Sequence, residues 1–227
     1  MPVIALNLLG KTACLCLLLL AGGCNVIGFV GASMPEPTIP ASYADLQDKA
    51  GGVIIWTPLQ VRADNPQLTL DLGQAIQARL EYLRDKGGRG QKRMLENLTF
   101  PNSAASYVAH VSQEPRLADM PVVDYAGSIE NVDRIIYVEL DQFTTRAGVA
   151  GGLVRGQATF GLQVIAINHE TKQATVAYRD AGLVAAFPPT GPVEGSTRLR
   201  PEQAYQGLVL EIAKDITQQF VPHKEDE

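Results

Sequence analysis

Apolar and polar positions along the 227-residue chain fall into a few legible runs. Residues 13–21 (ACLCLLLLA) are apolar without a break and follow Lys11. Residues 53–57 (VIIWT) are mostly β-branched and lie between Gly51–Gly52 and Pro58, the pattern of a strand buried on both faces. Asn65 and Pro66 mark a loop. Leu72, Ile76, Leu80 and Leu83 then recur at helical spacing and predict an amphipathic helix over 69–84. Thr69 or Asp71 would cap its start, and Gly87 and Gly88 would end it.

Residues 94–117 carry a weaker signal: Ser103 caps a helix that reaches Val111, with Tyr107, Val108 and Val111 facing inward and Pro115 closing it. A further short helix is predicted over 122–131. Period-two alternation follows. Residues 134–145 (RIIYVELDQFTT) place Ile136, Val138 and Leu140 on one face, with Tyr137, Glu139 and Asp141 on the other. Residues 157–167 turn Ala158, Phe160, Leu162, Val164 and Ala166 inward, and 174–179 alternate Ala174, Val176 and Tyr178. The polar turn 168–172 (NHETK) makes these last two strands an antiparallel hairpin. Residues 183–200 read as a long Pro/Gly loop. Pro201 then opens a helix in which Ala204, Leu208, Ile212, Ile216 and Phe220 recur every fourth residue. Pro222 stops it, and HKEDE is a solvated tail. The expected architecture is an α+β domain with a small mixed or antiparallel sheet and the first and last helices packed on one face.

The early apolar run changes what the chain is expected to be. It is too short for a permanent membrane span, which needs about 20 apolar residues. With Lys11 before it and Ala21, Gly22 and Gly23 after it, it has the form of a secretory signal. Residues 12–24 (TACLCLLLLAGGC) resemble the lipobox of bacterial lipoproteins, although Ala21 stands where Leu is most usual. The resemblance implies cleavage after Gly23 and a covalent diacylglycerol and N-acyl chain on Cys24. The other cysteines, Cys14 and Cys16, lie within the segment that would be removed. The body therefore has no cysteine for a disulfide, a zinc cluster or a catalytic thiol. Stable anchoring takes more than one acyl chain, which a triacylated terminus supplies. The expected division is signal 1–23, lipidated terminus and flexible tether 24–50 spaced by Pro35, Pro37 and Pro40, a single domain 51–221, and tail 222–227. Tyr43 and Leu46, near the end of the tether, are expected to dock on the body.

Charge and motifs narrow the function further. The formal net charge is −5, more negative still without Lys11, which gives no electrostatic reason to bind nucleic acid. One basic cluster, Arg84, Lys86, Arg89, Lys92 and Arg93, is a candidate surface contact for lipid head groups or an anionic glycan, set against a plainly solvated loop. The loop GVAGGLVRG lacks the Gly-Lys-Ser/Thr ending of a phosphate loop. The three histidines, His110, His169 and His223, lie in unrelated segments, and no metal-ligand or nucleophile motif is present. Glu139 and Asp141 form the best carboxylate pair.

The order strand, helix, irregular helical region, three antiparallel strands, helix resembles the envelope lipoproteins that share a TolB N-terminal-like domain. That family includes curli-assembly lipoproteins, penicillin-binding-protein activators and auxiliary lipoproteins of ABC-type transporters. The resemblance is carried by residues 132–138 (VDRIIYV) and by the strands around NHETK, and it covers about residues 50–220. Here the turn lacks the glycine often found in that family. The wording VDRIIYVELDQF is also similar to lipoproteins of planctomycete-type bacteria.

The expected function is a non-enzymatic, lipid-anchored interaction or assembly module facing the periplasm, with a membrane and an envelope protein as partners and no metal or cofactor. Asn25 after the cysteine favours the outer membrane, since the usual inner-membrane retention residue there is Asp. The alternatives are an auxiliary subunit of a lipid or solute transport system, and a hydrolase using Glu139 and Asp141.

Overall fold

The computed structural model describes residues 38–86, 95–114, 116–117, 120–145, 153–191, 193–194 and 200–224. The chain divides into two units, Met1–Ile39 with Lys224–Glu227, and Pro40–His223. Of the first unit, the two-residue strand Thr38–Ile39 and Lys224 are described.

The second unit contains four strands and five helices of more than two residues among its described residues. The strands are β1 (Gly51–Trp56), β2 (Arg134–Thr144), β3 (Gly156–Asn168) and β4 (Gln173–Phe187). The helices are α1 (Leu59–Asp64), α2 (Leu68–Lys86), α3 (Ala104–Gln113), α4 (Val122–Ala126) and α5 (Pro201–Gln218). The sheet runs β1-β2-β3-β4, with β1 parallel to β2 and the other neighbours antiparallel. A parallel pair cannot be closed by a tight turn, and the crossover from β1 to β2 carries α1 to α4. The fold is α+β.

One face of the sheet packs against α2 and α5, as the two apolar stripes predict. Leu72, Ile76 and Leu80 of α2 and Leu208, Ile212 and Ile216 of α5 are buried over Ile136, Val138, Phe160, Leu162 and Val164. Two hydrogen bonds join the helices: Tyr205 OH donates to Asp71 Oδ2 at 2.7 Å, and Arg79 Nε to Thr217 Oγ1 at 2.9 Å. Asp71 lies inside the first turn of α2, so its partner is Tyr205 rather than the helix end. Gly207 lets the Phe187 ring lie against α5, because a Cβ there would overlap the ring.

The expectation that helices cover only one face is corrected. A second core lies on the other side, where Ile54, Ile135, Tyr137, Ile165 and Ile167 meet Tyr107 of α3 and Val122, Tyr125 and Ala126 of α4. β2 and β3 are apolar at both parities over part of their length, so one alternating set described only half of their burial. The Ser103 cap is present, its Oγ accepting from Ser106 N–H at 3.3 Å.

Three boundaries also differ. β4 continues to Phe187, through residues expected to be a loop. Register shifts between Phe160 and Leu162 and between Val164 and Ile165 interrupt its alternation and conceal the strand. α1 follows Pro58 directly, where only a loop was expected. Residues 40–50, expected as the end of the tether, belong to the folded unit. Leu46 is 1% exposed within the main core, and the Tyr43 ring lies 5.6 Å from Tyr178 and 6.3 Å from Phe220.

Candidate functional site

Cys24, Gly23, Arg89, Lys92 and Arg93 lie outside the described residues. Arg84 and Lys86 end α2, and Arg84 is occupied: Nε donates to Asp85 Oδ1 at 2.8 Å and Nη1 to the Leu98 carbonyl at 2.9 Å. Lys86 Nζ sits 5.2 Å from the centre of the Tyr82 ring. His169 Nε2 is 3.3 Å from Asp133 Oδ1, whose Oδ2 accepts from Ala50 N–H at 2.8 Å. This carboxylate ties the β3–β4 turn to the start of the sheet. Asn168 Oδ1 accepts from the Glu170 and Thr171 amides, which makes the turn a side-chain-stabilised one. Among the described residues, no three His, Cys, Asp or Glu side chains are placed to hold a metal ion.

Glu139 and Asp141 do not form the simple pair that alternation suggests. The β2–β3 register shifts between Leu140 and Gln142, so Asp141 is exposed at an irregularity and out of step with Glu139. Glu139 instead belongs to a polar seam on the second face of the sheet. Register sets Tyr137 beside Gln163 and Gln163 beside Arg179, while Trp56 is beside Glu139 and Glu139 beside Gly161. These positions share the parity of Ile54, Ile135 and Ile165, which are buried under α3 and α4. The seam runs from the margin of that helical cover, where Tyr137 still packs against it, toward Glu139 and Arg179.

The polar groups of this seam are unusual for their burial. Tyr137 and Gln163 are each 6% exposed, and Tyr125, on α4, is 8% exposed. Neither tyrosine hydroxyl nor the Gln163 amide has a hydrogen-bond partner among the described residues. A polar group in so buried a side chain needs a partner, from solvent or from a ligand, because one left unpaired costs about 1–3 kcal/mol. None of the three is fully sealed, since among the described residues the polar atoms cut off from solvent without a partner are those of Thr57, Tyr107 and Arg155. Their tips thus reach the surface of the seam. Tyr137's hydroxyl is held above its ordinary pKa range first by burial and then by Tyr125 and Glu139, so it stays a neutral donor. A Cβ on Gly161 would lie 3.6 Å from the Asp180 carbonyl oxygen and 3.8 Å from Glu139 Oε2, in ordinary van der Waals contact with both.

Next to the seam, Val53, Ile54, Trp56, Arg62, Tyr107 and Val111 line an apolar cavity of about 70 Å³ between β1 and α3. It is well below the roughly 300–1,000 Å³ of a small-molecule pocket. Gln163 and Arg179 were not singled out by sequence. The available signal was a lone glutamine within GLQVIAI, a polar residue inside an otherwise buried run.

No family model matches the chain, and no curated protein matches it. Solved structures give distant likenesses. A hypothetical protein of Chlamydia trachomatis has TM-score 0.40 at 12% identity, covering 75% of this chain and 93% of that one. A lipoprotein of Neisseria meningitidis has TM-score 0.40 at 8% identity, covering 75% and 96%. The PelC dodecamer of Paraburkholderia phytofirmans has TM-score 0.34 at 10% identity, covering 80% and 96%. With TM-scores below 0.5, these likenesses leave both family and function open.

Proposed function

We propose that the chain is a lipid-anchored lipoprotein of the bacterial envelope, held through Cys24. Its folded body faces the periplasm and serves as a non-enzymatic interaction or assembly module. The observation that carries this reading is the single cysteine that follows a short apolar run and small residues, ahead of a body with no other cysteine. Among the described residues, no helix is long and apolar enough to cross a membrane, so attachment through a lipid is compatible with the folded body. Asn25 supports delivery to the outer membrane. The non-enzymatic part rests on the dispersed histidines and on the loss of alignment between Glu139 and Asp141. The transport-auxiliary alternative needs an apolar chamber, and the apolar cavity between β1 and α3, about 70 Å³ among the described residues, is too small to be that chamber.

Expression of the full chain and of Cys24→Ser in a Gram-negative host, with radiolabelled palmitate and membrane fractionation, tests the anchor. The wild-type chain should carry label and sediment with membranes, and the variant should do neither. A variant that remained membrane-bound would refute the anchor. Crosslinking in cells should capture an envelope protein. Turnover of a substrate by the purified chain would refute the non-enzymatic reading.

A further inference from the structure

We infer that the seam formed by Tyr125, Tyr137, Gln163, Glu139 and Arg179, with Trp56 beside it, is a shallow binding site for a saccharide unit of a glycan. The inference specifies what the interaction module would hold. It depends on that reading for the module's role and not for the site itself. Three largely buried side chains whose polar tips reach one surface and meet no described protein group present donors and acceptors that a ligand could engage in place of solvent.

The mixture of groups selects the ligand. Tyrosine hydroxyls and the glutamine amide both donate and accept, the Glu139 carboxylate accepts, and the Arg179 guanidinium donates. Facing them, a sugar ring offers hydroxyls that also do both. One carboxylate and one guanidinium leave the seam without a dominant charge, which does not suit a polyanion. An aromatic ring next to such a set offers an apolar face to the C–H side of a sugar. Register puts Trp56 in the same row as Glu139 and Gly161, and glycine at 161 adds no side chain between Glu139 and the β4 backbone at Asp180. An extended peptide would instead take its main-chain hydrogen bonds from a strand edge. The seam lies across the face of the sheet, over paired strands.

Trp56 is the only tryptophan in the chain and reports directly on the site. The full chain in detergent is titrated with chitotetraose, cellotetraose and tetra-alanine, with Trp56 fluorescence and calorimetry read in parallel. Saturable binding of at least one tetrasaccharide, at micromolar to millimolar Kd, is expected. Gln163→Leu and Arg179→Ala should each raise that Kd about tenfold or more. Gln163→Leu removes an amide that makes no hydrogen bond to the described protein groups, so its Tm should be little changed, which separates lost binding from lost folding. The inference is overturned if neither tetrasaccharide binds by either readout, if binding is unchanged in both variants, or if only the peptide binds. Anchoring at Cys24 is decided by the fractionation experiment, so failure of one reading leaves the other standing.

Discussion

Leu46→Ala tests most directly whether residues 40–50 are part of the folded body. Leu46 is 1% exposed and lies in the core shared by α2, α5 and the sheet. Removing the buried carbons beyond Cβ costs about 0.8 kcal/mol for each methylene in transfer free energy alone, and a residual cavity adds to it. The segment is not free to collapse into that space. Tyr43 N–H donates to the Gln219 carbonyl at 2.9 Å, Asp48 N–H to the Glu96 carbonyl at 2.9 Å, and Arg134 Nη2 to Asp45 Oδ2 at 2.6 Å. A loss of about 2–4 kcal/mol is therefore expected. For a domain of this size that corresponds to a fall in Tm of about 5–12 °C. Urea unfolding of the purified chain should show a lower midpoint at unchanged m-value. A change below about 0.5 kcal/mol, the size seen for ordinary surface substitutions, would refute the docking and restore a tether that runs to Gly51.

Two further outcomes follow from α5. Gly207→Ala would put a methyl group into the Phe187 ring and should cost about 1–3 kcal/mol, read as a lower urea midpoint; an unchanged midpoint would mean that the ring does not pack there. Asp215 has a pKa pushed up to about 6 by burial, then by Glu211, against the opposing pull of Lys214 and Arg79. Because the folded value is the higher one, the native state binds more protons than the unfolded state between the two pKa values, and stability falls as pH rises through that window. After a discount for solvent screening, Asp215→Asn should be more stable than wild type by on the order of 1 kcal/mol at pH 7, with the difference gone below about pH 4. Parallel stability–pH curves for the two proteins would refute this origin of the shift.

Elements whose signal is local can be read from the amino-acid order alone. Four-residue apolar spacing is enough to identify α2 and α5, since a helix that must bury a stripe shows it within its own residues. The same holds for β2, β3 and the polar turn between β3 and β4, and the expected docking of Tyr43 and Leu46 is present. The proposed anchoring at Cys24 likewise rests on a short segment, because an address is carried by local residues.

Which face of the sheet is covered, and by what, follows from long-range packing. Ile135, Tyr137 and Ile165 are buried because α3 and α4 close over them, and no periodicity in β2 or β3 specifies those helices. The direction of β1 against β2 and the shifts that displace Asp141 and lengthen β4 depend on pairing across the chain. Hydrogen-bond register is a long-range property, and a strand's own alternation cannot report an irregularity set by its neighbour. The seam has the same origin. Tyr125, Tyr137, Gln163 and Arg179 are far apart in sequence and individually unremarkable; strand register and the position of α4 bring their polar groups together on one face.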